Sequence, residues 1–451
     1  MKAITRRRFL SQSAAGLAAA AATGVIRSRS VVGAAQRAND AVVLALVGAG
    51  GRGTALAEGF SQLPNVSFKY VCDVETPRGE GMAKKLSKAG VAETQIVGDI
   101  RRALDDKDVD GLIVATPEHW HALATVWACQ AGKDVYVEKN VALTIWEGRK
   151  MIEAARKYKR IVQAGFQNRS APYAVTARDY IKNGNLGKVV HVKVYNMLSG
   201  GPWKMAADGK APAGLDWDRW LGPAKLVPYN SSRHRDWYSW YEYCGGAYSG
   251  DASHQLDLAR MVLGDPGTPK AAYCAGGNFA YGSQRPTPES QIVTYEYQDF
   301  TMTCDHCTFP PYMRKSNGEE RYGKKFPFWP QNNERIEIYG TKQMMYLGRH
   351  GVGWQVLEGE GKVVAEEKGY HPDKWHQANF VECIRTRRMP NADIEQAHQS
   401  SNLVHMANIS YLVGNQRLIL DPATERFTNS DAANALLKPA YREGYRVPDE
   451  V

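Results

Sequence analysis

Apolar residues in the first third of the chain form short continuous runs, and each run is followed by a stretch with helical periodicity. Strands buried on both faces are predicted at 42–47, 67–72, 110–115, 134–137 and 161–164, and helices near 53–62, 79–88, 119–131 and 145–157. Such alternation indicates a doubly wound α/β fold with a parallel sheet. Ligands of this fold class bind where the strands end, so the residues after each strand are the first candidates for a site.

Beyond about residue 165, apolar residues alternate with polar ones. This alternation covers 189–195 and stretches near 291–297, 301–308 and 335–347, which predicts a large, mostly antiparallel open sheet with one covered face. Helices are predicted at 254–263, 375–386 and 394–412. The change of pattern divides the chain into an α/β domain at 36–165 and a second α/β domain at 166–451.

The turn after the first predicted strand has glycines at the spacing G-x-G-x-x-G. Gly48 permits a sharp turn, Gly50 lets backbone N–H groups approach a pyrophosphate, and Gly53 lets the following helix pack against the strand. Gly51 and Arg52 lie inside the same turn, at the positive end of the helix. The first domain is therefore predicted to be a Rossmann domain that binds a dinucleotide, with a glycine-rich turn in another α/β domain as the alternative.

An acid at the end of the second predicted strand indicates which dinucleotide binds. Asp73 lies 20 positions after Gly53, where a carboxylate would bind the ribose 2′-hydroxyl and repel a 2′-phosphate. We therefore expect NAD rather than NADP.

The formal net charge of +10 is concentrated at the N-terminus. Residues 1–35 contain six lysines and arginines and no acid, so the rest of the chain carries about +4. This excess is too weak to indicate a nucleic-acid partner.

The first 35 residues have the pattern of a targeting segment. Residues 5–10, TRRRFL, are a twin-arginine pattern, and the apolar run at 14–25 is too short for an ordinary membrane span. Small residues at 32–35 offer a cleavage site near Ala35, with an uncleaved anchor as the alternative. We expect export of the folded protein by the twin-arginine machinery, to the periplasm or beyond, with its nucleotide already tightly bound.

The seven cysteines do not indicate a disulfide framework, because their number is odd and the chain is long. Cys304 and Cys307 form half of a zinc or redox motif, but residues three apart in a predicted strand face opposite ways. No second C-x-x-C occurs in the sequence. We interpret the pair as structural and expect no metal site.

Polar residues follow two neighbouring strands of the predicted parallel sheet. Thr116, Pro117, His119 and His121 come after the strand at 110–115, so they should border the cofactor. Capping of the next helix is an equally good interpretation for the two histidines.

The strand at 134–137 is followed directly by Glu138 and Lys139. An ion pair between them would explain both residues. However, hydride transfer to or from a carbinol needs a group that takes or gives the hydroxyl proton. A lysine beside the nicotinamide ring could do this, so Lys139 is a candidate catalytic residue.

A loop-rich tract at 198–243 is dense in aromatic and basic side chains. Aromatic faces suit the C–H faces of a sugar, and interspersed polar groups suit its hydroxyls. Arg233, His234 and Trp237 are therefore candidate substrate contacts. An ordinary surface or interface loop is the alternative.

The glycine turn, the Thr-Pro-x-x-x-His sequence at 116–121 and the tripeptide at 138–140 resemble the glucose–fructose oxidoreductase, inositol dehydrogenase and rhizopine-catabolism (Gfo/Idh/MocA) family. The similarity extends through GFQNR at 165–169, LDWDRWLGP at 215–223 and the HxxNF segment at 376–380. These segments resemble the secreted, twin-arginine subgroup of the family in particular. The resemblance implies a Rossmann domain, an α/β domain whose open sheet often forms homo-oligomer contacts, and sugars or polyols as substrates.

The resemblance also implies roles for single residues. Lys139 would contact both cofactor and substrate, and Glu138 and Gln167 would lie against the cofactor. Arg169 and Tyr173 would hold the substrate.

Two departures from the family pattern affect the site. Asn140 replaces the usual proline after the lysine. Aligning the glycine pair at 245–246 places His254 on the family's active-site histidine but Gly250 where an acid is usual, and Asp251 comes one position late. Asp257 shares a helix face with His254 and could orient it, so proton transfer would rest on His254 with help from Lys139.

Three functions stay open from the sequence. The leading one is an exported NAD-dependent oxidoreductase acting on a sugar or polyol carbinol. The alternative is an NAD-dependent glycosidase that oxidises C3 of the sugar transiently and eliminates the glycosidic bond. Oxidation coupled to reduction of a second sugar is a related option. The family's N-acetylgalactosaminidase group usually lacks the lysine found at 139, which argues against that specificity. The third is a sugar-binding protein without catalysis, which the glycine at 250 would favour.

Overall fold

A six-stranded parallel sheet forms the first part of the computed structural model, which describes residues 41–282, 284–308 and 312–451. Its strands are β1 (Val42–Val47), β2 (Val66–Cys72), β3 (Gln95–Val97), β4 (Gly111–Val114), β5 (Asp134–Val137) and β6 (Val162–Ala164). Their order is β3-β2-β1-β4-β5-β6, so the winding reverses between β1 and β4. The predicted doubly wound sheet is confirmed, and its ligand crevice lies where β1 and β4 end. The predicted twin-arginine segment lies outside the described residues.

Four helices cover the two faces of this sheet. They are α1 (Gly51–Ser61), α2 (Thr76–Lys88), α3 (His121–Gln130) and α4 (Ile145–Lys157). Thr144 caps the start of helix α4, because its hydroxyl accepts from the Glu147 N–H at 3.3 Å.

An eight-stranded sheet forms the second part of the fold. Its strands are β7 (Val189–Leu198), β8 (Ala271–Gly277), β9 (Ser290–Glu296), β10 (Thr301–Thr308), β11 (Arg335–Gly340), β12 (Met344–Gly348), β13 (Gly353–Glu358) and β14 (Lys362–Glu367). The order is β14-β13-β12-β11-β7-β10-β9-β8, and all neighbours are antiparallel except β7 and β10. The prediction of a large, mostly antiparallel sheet is therefore confirmed.

Helices α5 (Pro172–Lys182), α6 (Ser253–Val262) and α8 (Ile394–Leu412) pack on one face of this sheet and form a shared core with it. Helix α7 (Asp373–Thr386) instead returns to the first sheet, where Phe380 lies edge-on to Phe60 of α1 with ring centres 6.0 Å apart. Residues late in the chain thus contribute to the core of the first domain. Among the described residues, no helix is long and apolar enough to cross a membrane.

Short elements complete the described chain. Short α-helices span Arg101–Leu104, Trp217–Leu221, Ser231–Arg235, Gly318–Tyr322 and Asp431–Asn434, and 3₁₀ turns span Glu118–Trp120, Gln167–Ser170, Trp237–Ser239, Trp329–Gln331 and Gly359–Gly361. A π-helical turn, Tyr248–Ala252, leads directly into α6. Strands β15 (Leu420–Asp421) and β16 (Arg426–Phe427), of two residues each, pair as a short hairpin.

Helix α5 and strands β3, β8, β13 and β14 were not predicted. Strands β3 and β14 lie at sheet edges and are mostly exposed, so they lack apolar alternation. Strand β8 consists largely of alanine and glycine, which have low strand propensity. The strand predicted at 335–347 is in fact two strands joined by a tight turn at 341–343.

Candidate active site

The glycine turn between β1 and α1 has no room for larger residues at two positions. Gly48 has φ of +90°, and a Cβ there would lie 2.8 Å from the Ala115 carbonyl oxygen. A Cβ at Gly53 would lie 1.9 Å from the Gly48 carbonyl oxygen. Gly50 caps α1 and Gly51 begins it, and a Cβ on Gly51 would meet nothing within 4 Å. The backbone N–H groups at the start of α1 are therefore accessible to a ligand.

Gly48, Gly50 and Gly51 form one wall of a cleft of about 550 Å³, which is large enough for a cofactor. Asp73 lies in the cleft at the end of β2, and its carboxylate accepts from the Ala49 N–H at 2.7 Å and the Glu75 N–H at 2.8 Å. Burial raises the pKa of Asp73, and the two N–H groups oppose that rise. A glycine cradle and a fixed carboxylate in one crevice fit the pyrophosphate and ribose of NAD.

The opposite wall of this cleft comes from the second domain. We call residues 212–237 the cofactor roof, because Pro212, Trp220, His234, Arg235 and Trp237 line the cleft from that side. Backbone bonds fasten the roof to the loop after β2: the Thr76 N–H donates to the Gly214 carbonyl and the Asp216 N–H to the Val74 carbonyl, both at 2.9 Å.

The roof changes the interpretation of two predicted substrate contacts. His234 lies with its Nε2 atom 3.7 Å from Glu75 Oε2, and Trp237 lines the same cleft, so both belong to the nucleotide-binding end. Arg233 stacks over the Trp240 ring at 3.8 Å and donates to Tyr243. The sequence predicted substrate contacts in this tract, but the structure places His234 and Trp237 at the crevice lined by the glycine turn.

Lys139 and His254 come from distant parts of the chain, and the structure places them near each other beyond the end of β5. The Lys139 ammonium donates to the Gly250 carbonyl at 2.5 Å, and Gly250 lies in the π-helical turn four residues before His254. The peptide bond between Lys139 and Asn140 is cis. Burial, together with the nearby Lys139 ammonium, holds the pKa of His254 well below its usual value. The imidazole is therefore uncharged, so one of its ring nitrogens can accept a hydroxyl proton.

Glu118 was not identified from the sequence, although it follows β4 at the edge of the site. Its buried carboxylate accepts from the Ser249 hydroxyl at 2.9 Å, the Cys244 thiol at 3.1 Å and the Gly245 N–H at 3.3 Å. Burial raises the pKa of Glu118. The residue therefore fixes the turn that carries Gly250 onto the first domain, a role that only the folded structure reveals.

Asp257 does not orient His254, contrary to prediction. Its carboxylate accepts from the Arg169 guanidinium at 2.8 Å and the Ser400 hydroxyl at 2.7 Å, and within the described chain no hydrogen bond joins it to His254. Arg169 is buried and also pairs with Asp265 at 2.8 Å, so it is not available to hold a substrate. Both residues serve the core between α5 and α6.

Tyr173 is likewise structural, with 1% of its surface exposed. Its hydroxyl donates to Asn168 at 3.1 Å and accepts from the Gly351 N–H at 3.3 Å. The predicted substrate contact is wrong because α5 turns this side chain into the core.

The residues that follow β4 divide into two groups. Thr116 and Pro117 line the cleft. His121 is fully buried, with Nδ1 at 2.7 Å from the Asn140 carbonyl and Nε2 at 2.9 Å from the Thr116 carbonyl. His119 is buried with Nε2 at 3.0 Å from the Trp220 carbonyl. The two histidines therefore connect strand ends and roof, which corrects their prediction as cofactor contacts.

Arg52 lies at the edge of the cleft between two carboxylates. It pairs with Glu138 and with Asp373 of α7, each at 2.8 Å. Gln167 is buried beside them, with Nε2 at 3.4 Å from the Tyr136 hydroxyl and 3.5 Å from Glu138. Glu138 thus faces Arg52 and fixes its orientation, and Arg52 is the member of this group that borders the cleft.

Asp251 does not replace the acid missing at position 250. Its carboxylate pairs with Arg349 at 2.6 Å and Lys315 at 2.8 Å. These partners are far away in sequence, so no local pattern could reveal them. In the described residues, no group of three or more histidine, cysteine or acidic side chains could hold a metal ion, and all seven cysteines are free.

A nucleotide crevice in a Rossmann sheet, joined to a second domain that brings an imidazole to the strand ends, defines a dinucleotide-dependent oxidoreductase. The chain belongs to the Gfo/Idh/MocA family. Residues 42–166 match the family model described as an oxidoreductase family, NAD-binding Rossmann fold. Residues 173–299 and 348–447 match the model of the family's C-terminal alpha/beta domain. The family model describes an NAD-binding oxidoreductase, so NAD is the cofactor of this chain, and relatives in the family are named as dehydrogenases of inositol and levoglucosan.

Relatives and solved structures agree with this membership. scyllo-Inositol 2-dehydrogenase (NAD(+)) of Bacillus subtilis is 21% identical over 343 residues, which cover 73% of this chain and 82% of that protein. A glycosyl hydrolase family 109 protein of Solibacter usitatus is 33% identical over 165 residues, 34% of this chain and 38% of that protein. The structure of levoglucosan dehydrogenase with NADH and levoglucosan has a TM-score of 0.60 at 16% identity, over 84% of this chain and 99% of that chain. Aldose-aldose oxidoreductase from Caulobacter crescentus has a TM-score of 0.63 at 17% identity, over 84% of this chain and 100% of that chain.

Proposed function

We propose that this protein is an exported, NAD-dependent oxidoreductase that acts on the carbinol of a sugar or polyol and keeps its nucleotide through the catalytic cycle. The observation that carries the proposal is the placement of the Lys139 ammonium against Gly250, one helical turn before His254, beyond the strand ends that border the crevice.

Each side chain has a chemical task in this proposal. The N–H groups at Gly50 and Gly51 hold the pyrophosphate, and Asp73 holds the adenosine ribose. Bound NAD supplies an acceptor for the hydride that leaves the carbinol carbon. His254 takes the hydroxyl proton, and Lys139 stabilises the developing negative charge on the oxygen.

The cofactor roof supports tight retention of NAD. A ligand in the cleft would have the glycine turn on one side and Trp220, His234 and Trp237 on the other. Release would require the backbone bonds between the roof and the loop after β2 to open. Retained NADH has to be reoxidised in place, so a redox-neutral reaction suits this enclosure.

A glycosidase that works through transient C3 oxidation is the second candidate. The similarity to a glycosyl hydrolase family 109 protein over 165 residues favours it. It would use the same crevice and the same pair, Lys139 and His254, and would end each cycle with NAD restored.

One experiment separates these functions. The purified mature protein is incubated, without added nucleotide, with myo-inositol, levoglucosan, glucose and p-nitrophenyl glycosides. If a carbinol gives one NADH per chain, and an added aldose reoxidises it so that turnover continues, the oxidoreductase is supported. Many turnovers of aglycone release without net NADH support the glycosidase. Lys139→Met and His254→Asn should each lower the supported activity at least about a hundredfold. Binding of these sugars without either reaction would make it a sugar-binding protein.

Export and assembly are further parts of the proposal. Replacing Arg6 and Arg7 by lysine should keep the protein in the cytoplasm if the twin-arginine machinery exports it. The uncovered face of the eight-stranded sheet exposes Tyr273 (39%) and Ile292 (44%), which supports a homo-oligomer through that face. Light scattering of Ile292→Lys should then show a smaller particle than the natural protein.

A further inference from the structure

Three histidine rings lie in contact between the active site and the surface. The ring centres of His254 and His350 are 4.7 Å apart, and those of His350 and His371 are 5.2 Å apart. The three residues come from α6, from the turn after β12 and from the segment before α7. Their proximity therefore arises from the tertiary fold.

The first two rings carry buried nitrogen atoms that have no hydrogen-bond partner in the described chain. These atoms are Nδ1 of His254 and Nε2 of His350. The His350 backbone N–H donates to the Asn168 side chain at 2.9 Å, which fixes the backbone of His350 but leaves its ring free. The two unpartnered nitrogens therefore lie on neighbouring rings.

The last ring reaches both solvent and a carboxylate. The His371 side chain is 19% exposed, and its Nδ1 atom lies 3.8 Å from Asp373 Oδ2. Tyr322, which is 60% exposed, stacks on the His371 ring with centres 5.7 Å apart. The outer end of the row thus opens to water beside a negative charge.

The charges around the row favour movement of a proton outward. Lys139, Arg349, Arg52 and Lys315 disfavour the imidazolium at His254, and Phe166 closes the remaining side of its ring. Arg349 and Arg321 act in the same sense on His350. At His371 the Asp373 carboxylate favours the charged ring, and Arg52, Arg321 and Arg349 oppose it, so the pKa is lowered less strongly there than at the two inner rings. Burial lowers the pKa of all three histidines, so each ring is neutral and can accept a proton on one nitrogen and release one from the other.

We propose that His254, His350 and His371 form a proton relay that connects the reacting hydroxyl with solvent beside Asp373. The relay rests on the proposed function. Oxidation of a carbinol sends a hydride from carbon to nicotinamide and a proton from oxygen to Nε2 of His254. Nδ1 of His254 then gives its proton to His350, His350 gives one to His371, and His371 releases one to water; reduction runs the same steps in reverse.

Exchange of the His254 ring N–H with water tests the relay without any substrate. In protein labelled with ¹⁵N-histidine, His371→Gln and His350→Phe should slow this exchange at least about tenfold, because the buried ring loses its route to water. Imidazole added to His371→Gln should restore the exchange rate. His191→Gln is the control, since among the described residues the His191 ring stacks on Tyr339 and on none of the three relay histidines.

Turnover gives a second readout once a carbinol substrate is found. His371→Gln should lower the rate of proton release and kcat by about tenfold or more, leave KM within about threefold, and recover with imidazole. Unchanged exchange of the His254 N–H in both variants, or no rescue by imidazole, would overturn the relay. Slowed exchange in a protein that reduces no NAD with any sugar would keep the relay and refute the proposed oxidoreductase.

Discussion

Asp73 is the side chain that we expect to set cofactor choice. Its carboxylate is fixed by the N–H groups of Ala49 and Glu75 and lies in the crevice at the end of β2. A fixed carboxylate accepts from ribose hydroxyls and repels a phosphate at the same position.

Replacing Asp73 by serine should therefore weaken NAD binding by about 1–3 kcal/mol, and the variant should bind NADP with an affinity close to its affinity for NAD. Tryptophan fluorescence of the apo-protein, titrated with each nucleotide, measures both affinities. Asp108→Asn, at a surface carboxylate that is 78% exposed, should change neither affinity. An unaltered preference for NAD in Asp73→Ser would show that another group reads the ribose.

At this scale the sequence predicted residues whose role depends on the backbone or on a strand end. Gly48, Gly53, Asp73 and Lys139 lie where the motif spacing placed them. Predictions based on a shared helix face or a neighbouring motif residue were wrong, because partners distant in sequence are not visible in a local pattern. Asp257, for example, pairs with Arg169 and Ser400.

At the scale of elements, the π-helical turn Tyr248–Ala252 is the connection between the two domains at the site. Glu118 fixes it to the end of β4 through Ser249, Gly245 and Cys244. Glu118→Ala leaves these buried donors unpaired.

We therefore expect Glu118→Ala to lower the free energy of unfolding by about 3 kcal/mol. It should also lower kcat, because the Gly250 carbonyl would no longer hold the Lys139 ammonium in position. Ser249→Ala, which removes one donor, should cost about 1 kcal/mol. Urea unfolding measures both. Equal effects of the two substitutions would contradict the view that the carboxylate is the common anchor.

Helix α4 gives a pH-dependent prediction. Burial raises the pKa of Glu147 to about 7, although its carboxyl accepts from the Tyr441 hydroxyl at 2.6 Å and the Leu143 N–H at 3.1 Å. Between these two pKa values the folded state holds a proton that the unfolded chain has lost. The group therefore stabilises the fold at low pH, and the contribution disappears as the pH rises from the ordinary glutamate pKa of 4.5 toward 7.

Glu147→Gln, whose amide is always neutral, should unfold like the natural protein at about pH 4 and be more stable by about 2–3 kcal/mol at about pH 8. Guanidinium unfolding at the two pH values measures the difference. A variant that is less stable than the natural protein at both would show that the carboxylate is charged and well solvated in the fold.

At the scale of the whole molecule, the two domains enclose the crevice together. Arg442, near the end of the chain, donates to the Gly222 carbonyl at 3.0 Å and to the Asp218 carbonyl at 2.8 Å, so it connects the C-terminal segment to the roof. Arg442→Ala should speed NAD dissociation by roughly tenfold while Arg417→Ala, at an exposed pair with Glu296, should not. Stopped-flow displacement of bound NAD measures the rates.

The sequence predicted the two-part architecture because strand and helix periodicities extend over many residues. It could not predict that α7 returns to the first sheet or that the aromatic tract covers the nucleotide, since both depend on packing between parts of the chain more than a hundred residues apart. The fold was thus predictable from pattern, whereas the enclosure of the site was not.

The central claim is that NAD lies in the crevice with its nicotinamide between Lys139 and His254. A crystal structure of the native protein with NAD tests it most directly. The account predicts the pyrophosphate at the N–H groups of Gly50 and Gly51, the adenosine ribose on Asp73, and nicotinamide C4 facing the space between the Lys139 ammonium and the His254 imidazole. A nicotinamide directed away from these two side chains, or a nucleotide bound outside the crevice, would contradict it.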